Sequence, residues 1–497
     1  MKRRSMRRSA RSEMLAIRTV GVDRGASPQP QEPLWTDLAP SLPTSSPLEG
    51  TVQADVCVVG LGAAGLSAVI HLTSRGVNVV GIDAGPLGGT ATVRTAGMWF
   101  AGLPMFHHDA IEILGRKRAT ALYQETRKEL AALTAAGDLT QRWSGSLRLA
   151  SSDAEHDDCA RQLEVMRRDG LPVEAYDGDE GHGLLFPEDG AFQPVERVRS
   201  LIEAAQAAGA QLYGSTRAQQ LGDRDIDSTT GEVRCRSVIV AVDGGLEHMV
   251  PALNGVVMTG RVQALAASPA AIALSDLPPP SPPPSLPPTG ITPPDITPPN
   301  HAPGKIAAGD VAPGKIAAGA SQPGDIPPPP GHPDGATVPP PSPPPSPPQG
   351  PSTQVPPLDP PPLPSPEPHS RRPTRSRWGR DCWQQLPDGR VVIAGGRDKD
   401  RDDEADGTAT SQAVQQHLAW VLHQEFGSPA TITHRWAATS GFTDNRLPTL
   451  ARLGPHIIAV GGYNGFGDLL GPMLGRAAAD LAMGRQSALA DLIIGTP

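Results

Sequence analysis

Four strand-type residues, Val56-Cys57-Val58-Val59, run directly into Gly60-Leu61-Gly62-Ala63-Ala64-Gly65, three glycines spaced G-x-G-x-x-G. Leu66 to Arg75 then reads as a helix closed by Gly76, and Val77 to Asp83 as a second buried strand ending in an acid. A glycine triplet in this strand–turn–helix–strand setting is built to hold a nucleotide diphosphate. Gly60 permits the tight turn, Gly62 lets the backbone approach the phosphates, and Gly65 lets helix and strand pack closely. The helix N-terminus presents N–H groups and the positive end of its dipole to the anion. Asp83 falls 18 residues after Gly65, close to the ~20 at which an acid reaches a ribose hydroxyl.

The chain has 497 residues, but 278–370 hold 37 of its 57 prolines and no Phe, Trp or Tyr. Such a stretch cannot bury enough apolar surface to offset its ordering entropy, and it is expected to be disordered or locally polyproline II. Within it, Ala302 to Gly309 recurs almost verbatim at Ala312 to Gly319. This is low complexity without a core. Formal charge is −9; residues 1–24 carry eight basic and two acidic side chains, leaving −15 on the remainder. A net acidic body argues against nucleic acid as a partner. The four cysteines, Cys57, Cys159, Cys235 and Cys382, are scattered without a C-x-x-C pair. A reducing, cytoplasmic setting fits this better than a disulfide or zinc framework. No apolar run approaches the ~18 residues that span a bilayer. The arginine-rich start lacks the apolar segment of a secretory signal, because Arg18 cuts Met14 to Ile17, and it reads as a loose tail.

Residues 84–110 are glycine-rich and then apolar, a poor helix and a plausible cofactor-facing loop. Helical stretches are predicted at Ile111 to Ala136, Ala154 to Asp169, Pro194 to Ala208 and Ser411 to Glu425. The apolar run Val238 to Val242 suits a parallel strand buried on both faces, and Gly260 to Ala267 suggests another strand. Asp381 to Leu386 and Arg390 to Ala394 flank Pro387-Asp388-Gly389 as a hairpin. The chain closes with strand Ile457 to Val460, the loop Gly461-Gly462-Tyr463-Asn464-Gly465-Phe466-Gly467, and a helix over Leu469 to Met483.

A nucleotide fingerprint at one end and a glycine-rich strand-to-helix turn at the other resemble the D-amino-acid-oxidase-like FAD-dependent oxidoreductases. Arg94-Thr95-Ala96-Gly97-Met98 is similar to that family's segment beside the flavin. The hairpin Trp383 to Arg390 followed by Ala394-Gly395-Gly396-Arg397 resembles its substrate-domain hairpin, and Trp436 stands at its Trp-x-Gly segment with Ala438 in place of the glycine. The resemblance covers about 33–270 and 375–485. It implies an α/β fold: a Rossmann-like FAD-binding domain with an interleaved antiparallel-sheet (α+β) substrate domain, plus the disordered Pro-rich insertion. The expected order is a basic, extended arm (1–50), FAD-binding domain (51–110), substrate domain (111–193) and FAD-binding domain (194–250). A substrate-domain strand (251–277), the insertion (278–370), substrate domain (371–435) and FAD-binding domain (436–490) follow.

The resemblance implies FAD, held noncovalently. The ADP side falls to Gly60, Gly62, Ala63, Ala64, Gly65, Asp83 and Ala84. The flavin side falls to Arg94, Thr95, Ala96, Gly97 and Met98, with Gly462, Gly465, Phe466, Gly467 and Asp468 at the isoalloxazine end. The spacing of Trp436, Asn445-Arg446-Leu447-Pro448 and Arg452-Leu453 is similar to the gamma-glutamylputrescine oxidoreductases. Glycine-oxidase-like members carry a carboxylate-binding Arg four residues after this Trp, where this chain has Ser440. A second Arg in their C-terminal loop corresponds to Asn464 or Phe466. A bidentate guanidinium is the natural grip for an α-carboxylate; its absence at these positions weakens an ordinary amino-acid substrate, although Arg94, Arg380, Arg397 or Arg435 could substitute from another direction.

The reaction implied is oxidation of an amine or amino-acid-like C–N bond by hydride transfer to flavin N5, with oxygen or another acceptor closing the cycle. Arg446 and Tyr463 are the candidate catalytic side chains. Trp99, Phe100, Trp383 and Tyr463 are candidates to line the pocket or to pack the core. No metal cluster or Ser-His-Asp triad is expected, and His107-His108 and the acidic run Asp398 to Asp406 read as satisfied or solvated side chains. Two alternatives stay open: a flavoprotein acting on a hydroxy-acid C–O bond, and a non-catalytic flavin-fold scaffold using its Pro-rich arm, suggested by Phe466 in the flavin-end loop and Asp243 in the turn after Val242. Pro339 to Pro345 is a possible ligand for an SH3- or WW-like partner, or simply part of a tolerated insertion.

Overall fold

The computed structural model describes residues 32–89, 91–136, 142–222, 224–268, 371–400, 409–427 and 430–494. The Pro-rich stretch 278–370, with its expected disorder and its Pro339 to Pro345 motif, lies outside them, as do the basic start and residues 401–406 of the acidic run.

The apolar runs around the first fingerprint build a six-stranded sheet. Its order is Thr449–Leu453, Ile457–Gly461, Ser237–Val240, Val56–Val59, Val79–Ile82 and Gln211–Tyr213. All pairs are parallel except the edge pair Thr449–Leu453 with Ile457–Gly461. Val56–Val59, Val79–Ile82 and Ser237–Val240 are buried at every position. Burial on both faces is why these strands read as unbroken apolar runs. The fingerprint helix, Ala63–Thr73, and the helix Pro194–Ala207 pack together beside this sheet.

An eight-stranded, mainly antiparallel sheet forms the second layer. Its order is Ile432–Phe442, Met258–Ala267, Val391–Gly395, Asp381–Gln385, Thr374–Ser376, Ser146–Leu149, Gly181–Phe186 and Glu174–Gly178. The Asp388-Gly389 hairpin forms, Gly389 taking φ 84. Period-two alternation gives this sheet two distinct faces. Leu147, Leu265, Trp383, Val391 and Ile393 meet the helix Gln412–Phe426 on one side. On the other, Ala264, Ala394 and Trp436 join the core shared with the fingerprint helix. Smaller sheets pair Gly50–Gln53 with Gly231–Arg234 and its hairpin neighbours, and Met98–Trp99 with Gly190–Ala191.

Three local readings change. The helix expected over Ile111 to Ala136 is two, His107–Leu114 and Arg116–Ala135, because Gly115 takes φ 77 and breaks the ladder. Residues 84–110 are partly ordered into a 3-10 turn, Ala91–Arg94, and the strand Met98–Trp99. In the N-terminal arm, Trp35 is fully buried and its indole N–H donates to the Thr95 carbonyl at 2.8 Å. One aromatic anchor fixes that segment to the core.

Candidate functional site

The fingerprint loop is tight for steric reasons. Gly60 takes φ 94, and a Cβ there would stand 2.7 Å from the Ala241 carbonyl oxygen. At Gly65 a Cβ would lie 1.8 Å from the Gly60 carbonyl oxygen, so no larger residue lets helix and strand approach this closely. The helix opens on Gly62 with no side-chain cap, which leaves its N-terminus for an outside acceptor. Ala63 N–H donates to Thr92 Oγ1 at 3.1 Å. Asp83 is engaged locally. Its Oδ2 accepts from Leu61 N–H at 2.7 Å and its Oδ1 from Gly85 N–H at 2.9 Å. Burial nevertheless pushes its carboxyl upward. The acid therefore braces the fingerprint loop.

The far end of the chain arrives at the same place. The closing helix, Gly467–Ala482, packs on the fingerprint helix, and a Cβ at Gly475 would lie 2.0 Å from the Ala64 carbonyl oxygen. In the preceding loop Gly462, Asn464 and Gly465 take φ 65, 54 and 85. Asp243 holds this loop: Tyr463 N–H donates to Oδ1 at 3.1 Å and the Ser440 hydroxyl to Oδ2 at 2.7 Å. Asn464 N–H donates to the Gly441 carbonyl at 2.9 Å.

The segment Arg94 to Met98 lies between the two layers. Trp436 Nε1–H donates to the Arg94 carbonyl at 2.8 Å, and Gln384 Nε2 donates to the carbonyls of Ala96 and Gly97. Asp468, in the first turn of the closing helix, hydrogen-bonds Thr95, and burial pushes its carboxyl up to about 7. The structure thus brings together the three segments named as cofactor-facing. Its uncapped helix end and steric demand for glycine fit a dinucleotide.

The expected substrate-facing residues part company. Tyr463 is buried with its hydroxyl unpaired, and burial next to Asp243 raises the phenol well above its usual value. Arg446 is exposed on the turn after Ile432–Phe442, with φ 55. Phe100 reaches the flavin-end loop, its ring 5.8 Å from that of Phe466. Trp99 stacks on Phe192 and Trp143. Trp383 points to the sheet face covered by Gln412–Phe426 and is core, because strand alternation sends it away from Cys382 and Gln384. His107 pairs with Asp169 at 3.0 Å. Asp398 pairs with Arg377 at 2.6 Å. Among the described residues no cluster of three His, Cys, Asp or Glu is placed to hold a metal, and no helix is long and apolar enough to cross a membrane.

Of the four arginines proposed to replace the missing carboxylate grip, Arg380 is exposed and Arg435 donates to Gln415 Oε1 at 2.7 Å. Arg397 lies over the Phe442 ring at 3.5 Å, and Arg94 pairs with Glu32 at 3.5 Å. Two arginines absent from the sequence reading are instead buried side by side. Arg148 and Arg375 are register partners on adjacent strands, 4% and 6% exposed. The detectable signal was an arginine inside the apolar strand Ser146–Leu149. Arg375, in a run of arginines after the prolines, looked like part of a solvated patch.

Residues 55–321 and 316–481 match the family described as DAO, FAD dependent oxidoreductase. The chain belongs to this family and is an FAD-dependent oxidoreductase. It is 27% identical over 243 residues to a probable oxidoreductase, OrdL, of Rhizobium meliloti. That stretch is 45% of this chain and 56% of the relative, so the match spans about half of the relative's length. Among solved structures it is similar to L-proline dehydrogenase from P. horikoshii, with TM-score 0.58, 13% identity, and 89% of this chain and 96% of that one covered. Glycine oxidase from Geobacillus kaustophilus gives TM-score 0.54 at 17% identity, covering 88% and 96%. L-amino acid deaminase from Proteus vulgaris gives 0.58 at 13%, covering 90% and 95%. At these identities the likeness is one of fold.

Proposed function

We propose that this chain oxidises the C–N bond of an amine or amino-acid-like substrate, with its electrons leaving to oxygen or another acceptor. The observation that carries the reading is the direct packing of the closing helix on the fingerprint helix at Ala64, Gly471 and Gly475. With the two helices in contact, both glycine loops would flank one elongated cofactor. Solved structures of this fold named for glycine, L-amino acids and L-proline support the C–N assignment.

In this reading Gly60, Gly62, Ala63, Ala64 and Gly65 would hold the diphosphate of FAD, and Asp83 and Ala84 would shape the adenosine side. Arg94 to Met98 and Gly462 to Asp468 would hold the flavin end. FAD supplies the two-electron acceptor; the protein orients the substrate and keeps water away. The raised phenol of Tyr463 stays protonated, so its orphaned hydroxyl serves as a hydrogen-bond donor and not as a base. The Cys382 thiol, pushed up to about 12 by burial, is a poor nucleophile, which disfavours a covalent link through it and supports noncovalent binding of the cofactor. Acid precipitation should leave the yellow colour in the supernatant.

The test is anaerobic bleaching of the purified flavoprotein by a panel of amines and hydroxy acids. Bleaching by amines supports the reading. Bleaching by hydroxy acids alone transfers it to C–O oxidation, and no bleaching by any member favours a scaffold role.

A further inference from the structure

We propose that Arg148 and Arg375 form a two-guanidinium seat for a carboxylate group of the substrate. This deepens the amine-oxidising reading and rests on it for the identity of the ligand as substrate.

The two side chains belong to the sheet face that looks toward the cofactor unit. Leu184, Arg148, Arg375, Cys382, Ala394, Ala264 and Trp436 are successive register partners across the sheet. Trp436 at the end of that row already bonds the Arg94 carbonyl. Both arginines line one pocket with His107, Tyr123 and Gln162.

Each guanidinium is stacked by its face and lacks a hydrogen-bond partner at Nε. Arg148 Cζ lies 3.6 Å from the centroid of Phe106. Arg375 Cζ lies 4.0 Å from that of Phe100 and 5.8 Å from that of Phe466, in the flavin-end loop. The Nε atoms of both are buried without a hydrogen-bond partner. Stacking uses the π-face and leaves the in-plane N–H groups, which match a carboxylate bidentately, unspent.

Neither guanidinium has a close ion pair. Among the described residues no carboxylate lies within ion-pair distance of Arg148. Arg375 has only Asp189, at 3.8 Å. Asp189 is itself committed to Ala101 N–H at 2.8 Å and to the Ser146 hydroxyl at 2.6 Å. The buried Glu155 carboxylate also acts on Arg148 from beyond ion-pair distance, but it is committed to the Ser151 and Trp378 N–H groups. The two Nε–H groups thus remain unanswered, and a further anionic acceptor suits them. Buried charges are ordinarily paired, and a monoanionic end of the substrate completes this set.

The experiment uses the holoenzyme with propionate as the probe and propionamide as its uncharged isostere, followed by calorimetry. Wild type should bind propionate and not propionamide. Arg148→Met and Arg375→Met should each weaken propionate at least tenfold, and Arg375→Lys should recover part of the loss. Equal propionate affinity in the Met variants, or equal binding of propionamide, overturns the proposal. Kinetics then compares an amine carrying a carboxylate with its primary amide. The Met variants should lower the ratio of kcat/KM for the former over the latter about 30-fold. If amines that carry a carboxylate bleach the flavin equally well in all variants, the seat is wrong and the function stands. If propionate binding needs both arginines but no amine reacts, the function is wrong and the seat stands.

Discussion

Replacing Arg148 with methionine should make the folded protein more stable. The guanidinium sits almost entirely out of water without an ion-pair partner, and burial beside Arg375 lowers it to about 9. Against an ordinary value above 12, that gap corresponds to roughly 5 kcal/mol of penalty for the charged form at neutral pH. Stacking on Phe106 returns about 2 kcal/mol, and methionine keeps a similar volume and a favourable contact with the ring. The net gain is therefore about 2–3 kcal/mol. For roughly 350 folded residues unfolding at about 2.1 cal/mol/K each, that raises Tm by about 3–4 °C. The sign with pH follows from the lowered value. The penalty is complete below about 9 and fades as pH rises beyond it, so the advantage of the variant should shrink above pH 9. Thermal unfolding followed by circular dichroism, at matched flavin occupancy, measures this. A drop of several degrees at pH 7 would show that the guanidinium is structural and would remove the physical reason for expecting a carboxylate there.

Four further outcomes are expected. Gly65→Ala should abolish flavin retention, read as the ratio of flavin to protein absorbance, because its methyl would meet the Gly60 carbonyl at 1.8 Å; a yellow variant with normal occupancy refutes the tight-loop argument. Asp83→Ala should weaken FAD at least tenfold by releasing Leu61 and Gly85, measured by equilibrium dialysis against added FAD. Asp189, whose carboxyl burial pushes up to about 6, gains a proton in the folded state as pH falls through that value. Wild type should thus gain stability, and bind propionate more tightly, between pH 7 and 5.5, and Asp189→Asn should flatten both profiles. Tyr463→Phe should leave Tm within a degree or two, since the hydroxyl has no partner in the protein, but lower kcat roughly tenfold; unchanged turnover would reduce Tyr463 to packing.

Much of the cofactor half of this molecule was legible in the residues. Gly60, Gly65 and the acid at 83 are local necessities of a strand–turn–helix turn, and unbroken apolar runs identify strands covered on both sides. The closing glycine loop was equally visible, because positive φ at 462 and 465 demands residues without a Cβ. What Asp83 bonds was not legible: a carboxylate's partners depend on how far the loop folds back, and here two backbone N–H groups reach it first.

The substrate side was decided by tertiary structure. Arg148 and Arg375 are separated by 227 positions with the proline stretch between them, and only the pairing of Thr374–Ser376 with Ser146–Leu149 sets them side by side. Strand alternation likewise turned Trp383 to the helix-covered face, and the turn after Ile432–Phe442 leaves Arg446 exposed. Local sequence determines turns, strands and the places where glycine is compulsory, because those depend on near neighbours. Which charged side chains share one buried pocket depends on strand order across the sheet, and that exists only once the chain has folded.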